Sequence, residues 1–176
     1  MKLLILGLGY TGREVAHQMR AQGWEVRGTS RTAGEGLIQW PGCDISATLE
    51  WASHILVSAA PGENGDPFLA ALEAQIVQSK VKWIGYLSTT GVYGDHGGAW
   101  VDETTPPNPA TTRGHYRVMA EAQWMALHKA HGLPVHIFRL AGIYGAGRGP
   151  FAKVRNGTAR CIIKPNQVFS RTHVED

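Results

Sequence analysis

Residues 2–21 read KLLILGLGYTGREVAHQMRA, and this stretch decides the fold. Leu3 to Leu6 form an apolar run suited to a buried strand; glycines then break it, and an amphipathic segment follows. Gly7, Gly9 and Gly12 have the spacing GxGxxG, which is weak alone but specific between a strand and a helix. The first glycine permits a tight turn, the second lets backbone approach a phosphate, and the third allows the helix to pack closely on the sheet. Tyr10 and Thr11 stand between them, where a helix amino terminus offers N–H groups and partial positive charge. The pattern predicts a pyrophosphate site for a dinucleotide; a plain strand–helix turn is the alternative.

Working outward, WEVRGTS, HILVSAA, KWIGYLSTT and PVHIFRL join the first run as strands, each read as buried on both faces. Two further helices are expected. Residues 66–79 open with Asp66 as a cap and Pro67 at the first helical position. Residues 111–131 carry a long periodic pattern that stops at Gly132-Leu133-Pro134. Strand alternating with helix predicts an α/β fold: a Rossmann-type doubly wound parallel sheet in three layers. One junction departs from this plan. With the second strand ending near Arg27 and the third at GLIQW, the connection is about eight residues, where a parallel crossover normally takes a dozen or more. A loop is expected in place of the usual helix.

The end of the second strand selects the cofactor. An NAD site would place Asp or Glu there for the ribose 2′-hydroxyl, whereas this chain has Thr29, Ser30 and Arg31. A hydroxyl followed by a guanidinium suits a 2′-phosphate, so NADP is favoured and NAD is the alternative.

Composition narrows the remaining classes. The net charge is +3 over 176 residues, with the basic side chains scattered, which argues against nucleic acid as a partner. Cys43 and Cys161 cannot form a disulfide framework and read as reduced, small apolar residues of a cytoplasmic protein. The histidines show no metal-ligand spacing, so no metal is expected; His128 and His131 read as solvated or capping. No run is long enough for a membrane span.

In order and spacing, these motifs resemble the extended short-chain dehydrogenase/reductases, the NAD-dependent epimerase/dehydratase group. The resemblance rests on GxGxxG, Ser58-Ala59-Ala60-Pro61, YLSTTGVYGD at 86–95, DETTPPNP at 102–109, FRLAGIYGAGRG at 138–149 and HVED at 173–176. It implies that Ser58, Ala59 and Ala60 form a cofactor turn, and that Thr89, three residues before Val92, hydrogen-bonds the substrate. Thr90 and Gly91 replace the acidic pair of sugar-nucleotide dehydratases, which argues against dehydration.

The family's Tyr-x-x-x-Lys pair is broken here. Read without gaps from Glu103, Pro106 and Pro109, the tyrosine position falls on Arg113, the lysine position on Arg117, and a following glutamate on Glu121. The competing register uses Tyr116 but puts Ala120 at the lysine position. Arginine stays protonated far above neutral pH and cannot serve as the acid. Arg117 is expected to bind ribose or phosphate, or to pair with Glu121 on the surface; Arg113 to bind an anionic substrate group or lie free; Tyr116 to pack at the rim. Phe169 stands where many sugar-nucleotide epimerases carry a phosphate-gripping arginine.

Residues 1–176 are therefore read as an NAD(P)-binding domain, with 143–176 the start of a substrate lobe that is largely missing. An atypical oxidoreductase or epimerase-like enzyme, transferring hydride with a small polar substrate, of which a sugar is one option, is the first expectation. A non-catalytic NADP(H) sensor or scaffold is the second. A homodimer is compatible with either.

Overall fold

Lys2–Leu6 forms β1 and Tyr10–Ala21 forms α1, on either side of the glycine turn. The structure is a computed structural model and describes residues 1–161, 163 and 168–176. After α1 come β2 (Glu25–Ser30), β3 (Ile38–Gln39), α2 (Ser46–Trp51), β4 (His54–Val57) and α3 (Pro67–Gln78). They are followed by β5 (Trp83–Thr89), a 3-10 turn at Thr90–Val92, α4 (Thr112–His131) and β6 (Val135–Leu140). Beyond these lie β7 (Gly142–Tyr144), α5 (Pro150–Arg155) and β8 (Arg171–His173).

The main sheet has the order β3-β2-β1-β4-β5-β6 with every pairing parallel. The chain starts in the middle of the sheet and winds outward in both directions, which is the doubly wound Rossmann topology. Successive strand side chains point to opposite faces. Leu3, Ile5 and Leu56 meet Ala16, Val15 and Met19 of α1 on one face. Leu4, Leu6, Ile55, Val57, Ile84 and Tyr86 meet α2, α3 and α4 on the other. Three layers result.

The expected caps are in place. Asp66 Oδ1 accepts from the N–H groups of Phe68 and Leu69 at 2.8 and 3.2 Å. Gly132 ends α4 in the left-handed region at φ 69°, and His128 Nδ1 lies 2.7 Å from the Leu133 carbonyl. The short crossover is a loop, but β2 runs to Ser30 rather than ending near Arg27. Without a helix, β3 is held by Trp40, whose N–H donates to the Ser30 carbonyl at 2.8 Å and whose ring stacks on Phe68.

The strand reading needs correction. β2 and β6 are not buried on both faces: Glu25, Arg27, His136 and Phe138 are exposed. β6 is an edge of the described sheet, and α1 does not reach across it, leaving an apolar groove of about 440 Å³ beside Trp24, His54, Trp83 and Phe138. Both cysteines are free and exposed. α2 escaped the periodicity reading because it is a single short helix with one buried residue, Leu49. Among the described residues, no helix is long and apolar enough to cross a membrane.

Candidate functional site

The glycine loop lies at the carboxyl end of β1, in the centre of the sheet. Gly7 has φ 92°, and a Cβ built there would lie 2.8 Å from Ala59 N, so no side chain fits. A Cβ on Gly12 would lie 3.1 Å from Ile5 Cγ2, which is the close packing of α1 on the sheet. Gly9 is different: its nearest neighbour would be Gly7 O at 4.0 Å, so the space over it is open. No side chain caps α1, so the first-turn N–H groups of Tyr10, Thr11 and Gly12 lack intrahelical acceptors. An open glycine beneath uncapped N–H groups fits the pyrophosphate of a dinucleotide.

Neighbouring strands fix this loop. The Gly7 N–H donates to Thr29 Oγ1 at 2.9 Å, and the Leu8 N–H to the Thr29 carbonyl at 2.7 Å. Thr29 is 1% exposed, so its hydroxyl secures the loop and does not face a ribose. Ser30 Oγ instead lies 3.3 Å from Thr32 Oγ1, at the surface. Arg31 is exposed, and its guanidinium makes no hydrogen bond or ion pair to the described residues. Ser58 and Ala59 donate their N–H groups to the Leu6 carbonyl at 2.9 and 3.1 Å, which places the Ser58-Ala59-Ala60 turn against Gly7. Tyr10 reaches away from the loop: its hydroxyl donates to the Ala146 carbonyl at 3.0 Å, under the Arg148 guanidinium.

The second half of the site lies where β5 meets α4. Thr111 caps α4 through Oγ1, which accepts from the Gly114 N–H at 3.1 Å. A Cβ on Gly114 would lie 3.0 Å from Gly91 O, so the helix start rests directly on the turn after Thr89. Thr89 Oγ1 accepts from the Gly91 N–H at 3.1 Å, leaving its own proton to donate. Arg113 is exposed, and Tyr116 is half-buried with a hydroxyl that makes no hydrogen bond to the described residues.

Arg117 does not pair with Glu121. Its Nη1 donates to the Leu87 carbonyl at 2.6 Å and to Tyr86 Oη at 3.2 Å. Burial pushes the Tyr86 phenol up to about 12, against the pull of the Arg117 charge, so the phenol stays neutral. Glu121 is 6% exposed and faces inward: it accepts from Ser88 Oγ at 2.5 Å and from Arg139 Nη2 at 2.8 Å. The Glu121 hydrogen bond, more than any other factor, holds Arg139 firmly protonated. Arg139 Nη1 is buried without a partner among the described residues.

Ser88, Tyr86 and Arg139 were not anticipated as site residues. A signal existed for one of them, since a charge inside the apolar run PVHIFRL demands a buried partner. Among the described residues, no group of three or more His, Cys, Asp or Glu gathers to hold a metal. Phe169 is exposed, with the Arg171 guanidinium over its ring.

The model of the NAD dependent epimerase/dehydratase family matches residues 68–166. Protein YeeZ of Escherichia coli (strain K12) is 34% identical over 175 residues, covering 85% of this chain and 61% of that protein. The structure of a functionally unknown conserved protein from Silicibacter pomeroyi DSS is 52% identical with a TM-score of 0.90, covering 99% of this chain and 64% of that one. UDP-glucuronic acid 4-epimerase from Bacillus cereus in complex with NAD is 21% identical with a TM-score of 0.73, covering 89% of this chain and 61% of that one, and shares the fold. The chain thus spans 61% of YeeZ and 64% of the Silicibacter protein. On the family match over more than half its length, the chain belongs to the NAD dependent epimerase/dehydratase family.

Proposed function

We propose that this chain binds NADP(H) and supports an oxidoreductase or epimerase-like reaction on a small polar substrate, with a proton relay unlike the family's Tyr-Lys pair. The observation that carries the reading is the glycine loop: Gly9 open, the α1 amino terminus uncapped, and Gly7 pinned by Thr29 and Ala59. Bound there, the nicotinamide would supply hydride transfer. The chain's own residues hold the rest. Arg31, exposed at the end of β2 and without a partner among the described residues, would meet the 2′-phosphate, with Ser30 beside it. Thr89 donates a hydrogen bond from its hydroxyl to the substrate oxygen and transfers no proton. No cation stands four residues after Tyr116, where Ala120 takes the lysine position, and Arg113 and Arg117 stand in place of the family's Tyr-Lys pair. The proton therefore comes from water or from the substrate itself, with loss of roughly 10²–10⁴-fold relative to a positioned acid. Residues 143–176 would form the start of a substrate lobe.

The test is a calorimetric titration with NADPH and NADH at low and high salt. NADPH should bind at least about tenfold tighter, the worth of one charge-assisted hydrogen bond, and Arg31→Asp should abolish that preference. Equal affinities refute the NADP assignment; no binding of either refutes the cofactor reading. A second reading, a non-catalytic NADP(H) sensor, is favoured by the engagement of Arg117 with β5. Under it the cofactor binds, but no substrate is turned over.

A further inference from the structure

Building on that reading, we infer that Arg113 and Arg117 form an oxyanion-binding pair, so that the substrate carries a carboxylate or phosphate group beside Thr89. The two arginines are four residues apart on one face of α4, about 6 Å along the helix axis. The chain on either side of Thr89 touches this part of α4. Gly114, next to Arg113, rests on Gly91 O, and Arg117 donates to the Leu87 carbonyl, two residues before Thr89.

Arg117 is pre-oriented for this task. Its Nη1 is held at 2.6 Å by the Leu87 carbonyl and at 3.2 Å by Tyr86 Oη. Its Nε–H and Nη2–H groups make no hydrogen bond to the described residues. A planar guanidinium held along one edge presents the donors of its other edge as a fixed fork, the geometry that carboxylate and phosphate oxygens match. Tyr86 adds no charge, because its phenol is neutral well past physiological pH.

The nearby acids are occupied. Glu121 is bound by Arg139 and Ser88. Asp66 accepts from Phe68 N, Leu69 N and Trp124 Nε1. Among the described residues, no carboxylate pairs with Arg113 or Arg117. The three arginines Arg113, Arg117 and Arg139 outnumber the two acids Asp66 and Glu121 by one. The α4 amino terminus adds to this excess, since Thr111 satisfies only the Gly114 N–H. Arg117 is cationic and pre-oriented, Arg113 is cationic and exposed, and neither is paired with a carboxylate among the described residues, as charge recognition requires.

The probes are inorganic phosphate and acetate, exchanged against chloride at constant ionic strength, with the chain saturated in NADPH and followed by calorimetry. Saturation keeps phosphate off the glycine loop. Saturable binding is expected, weakened at least about tenfold by Arg113→Met and by Arg117→Met. Arg117→Lys should hurt acetate and phosphate alike, because it keeps charge but loses the fork. Tighter phosphate binding would identify a phosphorylated substrate, and tighter acetate binding a carboxylic acid. Absence of saturable binding overturns the inference, as does a response to Arg113→Met of less than about twofold. Arg113 is exposed, so its variant folds even if loss of Arg117 disturbs β5. Failure of NADPH itself to bind refutes the cofactor reading alone; the anion titrations on the cofactor-free chain, read through their dependence on Arg113, still decide the arginine pair.

Discussion

Glu121→Gln should destabilise the chain by about 2–3 kcal/mol through a single buried ion pair. Removing one partner of a fully buried pair costs about 3–5 kcal/mol, because the other charge is left without compensation. Here the Glu121 side chain is 8% exposed and that of Arg139 20%, so water can screen part of the stranded guanidinium, which sets the lower figure. Arg139 reaches Glu121 Oε2 through both Nε and Nη2, at 3.2 and 2.8 Å. Glutamine keeps the shape but places an NH2 group against one set of donors, either Arg139 or Ser88. Urea melts followed by circular dichroism measure the loss, and in a thermal melt it corresponds to roughly 5–10 °C for a domain of this size. Glu121→Leu combined with Arg139→Met should recover most of the stability, because no charge is then buried alone. A loss below about 1 kcal/mol for Glu121→Gln, the range of an exposed pair, would refute the reasoning. So would an additive double mutant, since residues in contact must couple.

Other outcomes follow from the same contacts. Gly7→Ala forces a side chain into the left-handed region and onto Ala59 backbone, so it should cost about 1–2 kcal/mol in strain and weaken NADPH at least about tenfold; unchanged affinity would show that the loop does not bind the cofactor. Asp66→Ala removes the α3 cap and the acceptor of Trp124 Nε1, with an expected loss of about 2–3 kcal/mol in urea. Asp66 also sets a pH dependence of unusual sign. Burial raises its carboxyl pKa in the folded state, outweighing the hydrogen bonds from Leu69, Trp124 and Phe68. The folded chain therefore holds a proton where the unfolded chain has released it, and wild type should gain stability relative to Asp66→Asn as pH falls from above the raised value to the ordinary carboxylate range. A relative loss on acidification would reverse that assignment.

The central strands, the glycine loop and both long helices were legible because their signals are local. Apolar runs, the spacing of Gly7, Gly9 and Gly12, the Asp66-Pro67 cap and the Gly132 stop depend only on backbone geometry and neighbours in the chain. The partners of side chains were not legible. On a helical wheel Arg117 and Glu121 are neighbours, and the sequence alone offered them as a surface pair. The sheet separates them: Arg117 turns to the Leu87 carbonyl, while Glu121 turns to Ser88 and Arg139, which is 18 residues away along the chain. Thr29 behaves in the same way, its hydroxyl drawn inward to Gly7 rather than outward to a ribose. What the sequence by itself determined is the doubly wound frame and the glycine turn at its centre. Which donor meets which acceptor was decided only by the packing of α4 on β5 and β6, because buried polar groups must find partners and those partners come from strands distant in sequence.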